Sequence, residues 1–255
     1  MFLCAGAALL VAAQPRAMGQ DTGGTVVQTA AEQLMALANR ARQQNGAGPL
    51  RWDSALAAAA LNHCHRMAAE GPISHRYSGE PDVATRAGQS GAHFSVIEEN
   101  VAVGPSAAVI HDEWMQSPGH RSNLLSNDVN RVGIAVVASR GVLYAVADYS
   151  HGVEAVGARE AEAKVAALIR RSGVSISSDS ALARQACAMD SGMPKEVTAR
   201  PGFIMRWQDS QLEQLPGALA NKLANGQYHR AAVGSCPAQG VQGTFTAYRF
   251  AVLLY

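Results

Sequence analysis

The sequence predicts an α+β fold arranged as two successive modules. Three observations point there. Apolar residues at helical spacing dominate the stretches before residue 117, and a hairpin signal closes the first half. Helices followed by two strand-like runs return after residue 153. Seven of the eight histidines (63, 65, 75, 93, 111, 120 and 151) precede Gly152, so metal-capable and titratable chemistry concentrates in the first half.

The elements follow in order. Over 28–44, Leu34, Leu37, Ala38 and Ala41 recur on one helical face, and Asn45-Gly46 with Gly48-Pro49 ends the run. Asp53 or Ser54 caps a second helix that reaches about Glu70, where Gly71-Pro72 stops it. Residues 73–97 mix Gly, Pro, Ser and His and predict an irregular loop with one short helix. A third helix covers 106–116. Ser117-Pro118-Gly119 breaks it, and a short helix starts near His120. Val132–Ala138 and Val142–Tyr149, joined by Ser139-Arg140-Gly141, predict a hairpin. In the second half, helices are expected over Glu154–Arg171, over 179–189 and over 209–225, with 191–208 irregular. Strands are expected over Arg230–Ser235 and Thr244–Leu254. Asp53-Ser54-Ala55-Leu56-Ala57 returns as Asp179-Ser180-Ala181-Leu182-Ala183, which suggests a degenerate repeat.

Composition narrows the function classes. Lys and Arg number 21 against 20 Asp and Glu, and this balance argues against a nucleic-acid binder. No apolar run reaches the roughly 18 residues of a membrane span. The apolar stretch 2–13 has signal-peptide length, with cleavage after Ala13 or Gly19. The expected layout is a signal peptide over 1–19, a flexible leader over 20–27, a first module over 28–152 and an α+β module over 153–255. Export places the chain in the periplasm or outside the cell, with no transmembrane segment after cleavage. Cys64, Cys187 and Cys236 then remain. Cys187 and Cys236 can form a disulfide, and Cys64, inside an apolar helix, reads as a buried thiol.

Motifs for metalloproteases, serine hydrolases and nucleotide binders are absent. Four fragments remain, in this order: Pro49-Leu50-Arg51-Trp52-Asp53, Ile73-Ser74-His75, Glu98-Glu99-Asn100-Val101-Ala102-Val103-Gly104, and Trp114 through Leu125 with the core Ser117-Pro118-Gly119-His120-Arg121-Ser122-Asn123. Over about 28–152 the chain resembles the CAP superfamily (cysteine-rich secretory protein, antigen 5 and pathogenesis-related 1; SCP domain), in its bacterial secreted branch. The resemblance implies a three-layer α-β-α sandwich around an antiparallel sheet, with a shallow cleft holding His75, His120 and Glu99. Animal members add a Glu three residues after the Trp; here that position is Ser117.

Asn100, Ser117 and Arg121 flank the three motif residues and join the expected ligand cleft. Two imidazoles and a carboxylate can hold a divalent metal such as zinc. His63 is expected to be a hydrogen-bonded helix residue, Trp52 and Trp114 core aromatics, and His93, His111 and His151 surface residues. Only one of Tyr144 and Tyr149 can face the cleft. The expected function is a secreted, non-enzymatic protein that binds a small ligand, lipid, cell-wall glycan or protein. The alternative is a zinc-dependent hydrolase using His75, Glu99 and His120.

Overall fold

The structure, a computed structural model, describes residues 24–178, 180–194, 199–241 and 244–255. The expected signal peptide and Asp179 of the echoed motif lie outside the described residues. The first module runs β1 (Thr25–Val26), α1 (Gln28–Gln44), β2 (Arg51–Trp52), α2 (Ser54–Glu70), α3 (Val83–Gln89), β3 (Phe94–Gly104), α4 (Ala107–Gln116), α5 (Pro118–Leu125), β4 (Arg131–Ser139) and β5 (Val142–Gly152). The second runs α6 (Ala158–Arg170), β6 (Ser175–Ile176), α7 (Ala181–Ala188), β7 (Phe203–Asp209), α8 (Gly217–Ala224), β8 (Arg230–Cys236) and β9 (Tyr248–Leu254).

Local chemistry sets the boundaries. The Asp53 carboxylate accepts from the Ala55 and Leu56 amides, satisfying two orphan donors at the start of α2. That helix ends at Gly71, whose φ of 35° suits a residue without Cβ and is followed by Pro72. The β4–β5 hairpin turns through Arg140 and Gly141, with φ of 52° and 79°. Positive φ at both central residues matches the right-handed twist of the strands.

The first sheet has the order β1-β4-β5-β3, and β2 adds to β4 in parallel. The long pairs β3–β5 and β4–β5 are antiparallel. Alternate strand residues feed two cores. On one side Ala102, Ile134, Val136 and Ala147 pack against Leu34 of α1, Trp114 of α4 and Leu124 of α5. On the other, Val101, Ala135, Val137, Tyr144 and Val146 pack against Ala60, Cys64 and Met67 of α2. Helices thus cover both faces, and the module is a three-layer α-β-α sandwich.

The second module repeats this plan. Its sheet order, β6-β8-β9-β7, has the same parallel edge strand and the same antiparallel core as β2-β4-β5-β3. One face packs on α6 and α8, the other on α7. Each central sheet carries a glycine where a helix start presses down. A Cβ on Gly133 would lie 2.0 Å from the Ala57 nitrogen, and one on Gly234 would lie 2.2 Å from the Arg184 nitrogen. Register makes the two sheets comparable pair by pair. Gly133 faces Asp148, which faces Glu99 across β3–β5; Gly234 faces Ala251, which faces Arg206 across β7–β9.

The modules are joined along the start of β3. The Thr246 amide donates to the Phe94 carbonyl and the Val153 amide to that of His93, both at 2.8 Å. The Phe94 and Phe245 rings meet edge to face, and the Thr244 hydroxyl donates to the Ala84 carbonyl at 2.8 Å. Gly88 permits this approach, because a Cβ there would lie 2.3 Å from Thr244.

Several expectations change. Thr25–Val26 pair with β4, so the flexible leader expected over 20–27 gives way to a strand there. Residues 203–209 form strand β7 rather than irregular chain, because β9 offers it a full antiparallel partner. Likewise 94–104 form a long strand inside and beyond the stretch expected to be a loop. The last helix is confined to Gly217–Ala224, beginning after Pro216, which suits a helix start and not an interior. Trp52 is 37% exposed rather than a core aromatic, since β2 is a short edge strand. The His111 side chain is only 12% exposed and so is not at the surface, being tucked along α4. No described helix is long and apolar enough to cross a membrane.

Candidate functional site

Three segments bring the motif residues together. His75 lies in the loop after α2, Glu99 lies within β3, and His120 is in the first turn of α5. His75 Nδ1 meets Glu99 Oε1 at 2.8 Å, and the His75 and His120 ring centroids are 6.4 Å apart. The His75 side chain is 58% exposed while that of Glu99 is 3% exposed. A surface imidazole therefore stands on a buried carboxylate.

Residues outside the motifs hold this carboxylate in place. Arg86, from α3, is buried and donates Nη2–H to Glu99 Oε2. Its Nη1 donates to the carbonyls of His75 (3.2 Å) and Pro81 (3.0 Å). Glu80, also buried, approaches Arg86 at 4.0 Å. His63 braces the same loop from α2: Nδ1 meets Glu80 Oε1 at 2.7 Å and Nε2 meets the Ser74 carbonyl at 2.8 Å. His63, expected to be a hydrogen-bonded helix residue, thus pins the residue before His75.

Asp148 completes the buried set. It faces Glu99 across β3–β5 and is fully buried. Burial, and then the Glu99 charge, push its carboxyl well above the usual range, which favours its neutral form beside Glu99. The two imidazoles are driven apart. The hydrogen bond to Glu99 raises the His75 pKa against the opposing effect of burial. Burial, and then the His75 charge, lower that of His120. Over the intervening pH window the cleft presents one cationic and one neutral imidazole. Glu80 is held below the usual carboxylate range: burial would raise it, but the Tyr77 amide, His63 and Arg86 outweigh that effect.

The remaining sequence-derived residues divide. Asn100 is fully buried: its Nδ2 donates to the His120 carbonyl at 2.9 Å, and its Oδ1 accepts from Asn123 at 3.0 Å. Ser117 precedes α5, and its carbonyl accepts from the Arg121 amide. The Arg121 guanidinium turns to Asn45 Oδ1 at 3.2 Å, at the end of α1. Cys187 and Cys236 form a disulfide between α7 and β8, in the other module. Cys64 is a buried free thiol donating to the Tyr144 carbonyl, and burial pushes it up to about 12.

The residues do not fit a zinc centre. Catalytic zinc takes three protein ligands. Both Glu99 oxygens are engaged, one by His75 and one by the Arg86 guanidinium, which leaves two imidazoles. Among the described residues no group of three or more His, Cys, Asp and Glu is placed to hold a metal.

A buried carboxylate under an exposed histidine, on a strand of an α-β-α sandwich, fits the cleft expected from the motifs. Residues 35–149, most of the first module, match the family model of the cysteine-rich secretory protein family, CAP. Among curated proteins, a Bacillus subtilis (strain 168) protein named uncharacterized membrane protein YlbC is 28% identical over 127 residues, 48% of this chain. The match covers 36% of that protein, so this chain spans little more than a third of its relative's length. Among solved structures the chain is similar to an outer surface protein from Borrelia burgdorferi, with 17% identity and a TM-score of 0.47 over 51% of this chain and 98% of that one. It is also similar to an extracellular protein containing an SCP domain from Bacillus anthracis str. Ames, with 22% identity and a TM-score of 0.45 over 48% and 40% of the two chains.

Proposed function

We propose that this is a secreted CAP-domain protein of the cell envelope whose first module binds a ligand through the His75–His120 cleft, without cleaving it. The observation that carries this reading is the clamping of Glu99. A general base must be free to take a proton from water or substrate. Glu99 is instead buried and held from both sides, by His75 and by Arg86, so it serves to orient and charge His75. The raised His75 pKa favours a cationic donor toward an oxygen of the ligand, and His120 offers a neutral imidazole beside it. Export is supported by the apolar stretch 2–13 and by the disulfide, which persists in an oxidising compartment.

The test combines two measurements on the full chain. Cosedimentation with purified cell-wall sacculi should retain the wild type and lose the His75→Ala, His120→Ala double variant. Calorimetric titration with zinc should show no site that needs Glu99. A tight zinc site abolished by Glu99→Gln, with ester or peptide hydrolysis lost alongside, would replace this reading with the hydrolase.

A further inference from the structure

The second module reaches the base of the cleft through one helix. α3 carries Arg86, whose guanidinium holds Glu99 Oε2 and the carbonyls of His75 and Pro81. This helix has little of its own to hold it in place. It has seven residues, and helices that short are marginal alone. Of its apolar side chains only Ala87 is fully buried, with Val83 and Ala84 half-buried. A buried alanine removes little apolar surface from water.

What the helix lacks comes from the far end of the chain. The Phe245 ring joins the small core formed by Leu56, Ala87, Ala92 and Phe94, with Ala84 of α3 also against it. It meets the Phe94 ring edge to face, with centroids 5.1 Å apart. On either side of it, the Thr244 hydroxyl donates to the Ala84 carbonyl of α3 and the Thr246 amide to the Phe94 carbonyl of β3, both at 2.8 Å. Gly88 of α3 faces Thr244 and leaves it the room of a missing Cβ. The contact is rooted in the second sheet. Two residues after Thr246 the chain enters β9, which pairs with β7 on one side and β8 on the other.

We infer that Thr244 and Phe245 are positioning residues for the His75 cleft: they seat α3, and through Arg86 they set Glu99 and the loop that carries His75. The role deepens the cleft reading and rests on it for the ligand. It also gives the second module a task in the first.

The test is hydrogen exchange and an NMR pH titration on the full isotope-labelled chain. Phe245→Ala should lower the protection of the Arg86, Ser90 and Ala92 amides, which bond within α3 or at its end, at least about tenfold. The amides of the β4–β5 ladder should keep theirs, which shows that the module stays folded. Gly88→Ala separates the brace from helix propensity. Alanine suits a helix better than glycine, so an α3 that held itself would gain protection. A Cβ there meets Thr244 at 2.3 Å, so an α3 held by the second module should lose it. In both variants the His75 midpoint should rise, because the Arg86 cation that opposes its protonation is held less closely while His63 still pins Ser74. Phe245→Leu, which keeps the apolar bulk, should stay near the wild type in both readouts. The inference is overturned if α3 protection is unchanged in Phe245→Ala, if Gly88→Ala raises it, or if protection falls and the His75 midpoint does not move. Neither readout needs a ligand, so a wild type that fails to bind sacculi counts against the cleft reading alone.

Discussion

Replacing Arg86 by Met removes the guanidinium that faces two buried carboxylates of the first module, Glu99 and Glu80, while keeping most of its apolar stem. Glu99 loses its charge partner on Oε2, and Glu80 loses the cation 4.0 Å away. The carbonyls of His75 and Pro81 lose a donor as well. Removing one partner of a buried ion pair costs about 3–5 kcal/mol, because the charge left behind stays desolvated. The carbonyl losses add less, since the His75 loop can reach water. A destabilisation of about 3–5 kcal/mol at neutral pH is therefore expected. Acidification should narrow it, because an unpaired buried carboxylate escapes its cost by taking up a proton. The assay is urea unfolding followed by the fluorescence of Trp114, which is buried in the first module, with Trp52 and Trp207 replaced by Phe in both proteins. A loss below about 1 kcal/mol at pH 7 would show that Glu99 does not depend on Arg86, and the account of the clamp would fall with it.

Other consequences follow from the same site. The NMR titration midpoint of His75 should lie above that of an ordinary histidine and that of His120 below, and Glu99→Gln should bring His75 down. The sign for stability follows: with its folded pKa raised, the His75–Glu99 bond contributes fully below the unfolded value of about 6.5 and is lost as pH rises through the folded one. Asp148→Asn should leave stability at pH 7 unchanged or improved, because the wild-type carboxyl is held well above its usual range and the fold loses stability as pH rises from about 3.9 through that value; a large loss at pH 7 would mean that Asp148 is needed as an anion. Cys64 should resist thiol reagents in the folded chain at pH 8 and react only on unfolding, measured by mass spectrometry.

The helical half of the fold was legible because its signals are local. Asp53 and Gly71 bracket α2, and the apolar spacing of 28–44 gives α1 to the residue. Strands β3 and β7 were hidden for a physical reason. The first carries Glu98, Glu99 and Asn100 in its middle, and the second carries Arg206, Gln208 and Asp209 at a sheet edge, so neither shows a continuous apolar period. The site divides the same way. His75, Glu99 and His120 came from ordered motif fragments. Glu80 and Arg86 came from a segment with no period and no motif, and their partners are set only by the packing of α3 against β3. Asp148 left one readable sign, a single acid inside the apolar run Val142–Tyr149, where a charge has no surface to reach.

The second module shows what this sheet needs when no cleft is built on it. Aligned on Gly133 and Gly234, the register positions of Glu99 and Asp148 are held by Arg206 and Ala251, so no second acid faces the first there. The same topology therefore closes without two facing buried carboxylates, although Glu162 and Arg249 are buried in it. The fold does not require the charged set of the first module, and keeping that set there costs desolvation that an apolar pair would avoid. Its return lies in the orientation and charge of His75, the group it holds toward solvent. This gives a double comparison. Arg86→Met alone strands two carboxylates. Arg86→Met with Glu99→Ile and Asp148→Leu removes the charges under His75 and leaves Glu80 with His63, and replacing buried ion networks by apolar groups of similar volume is often neutral or stabilising by about 1–4 kcal/mol. The triple variant should recover at least half of the stability lost by the single one in the same unfolding assay, while its His75 midpoint returns to that of an ordinary histidine. If the triple variant is less stable than the single, the charges serve the sheet itself, and the contrast between the two modules has no bearing on the cleft.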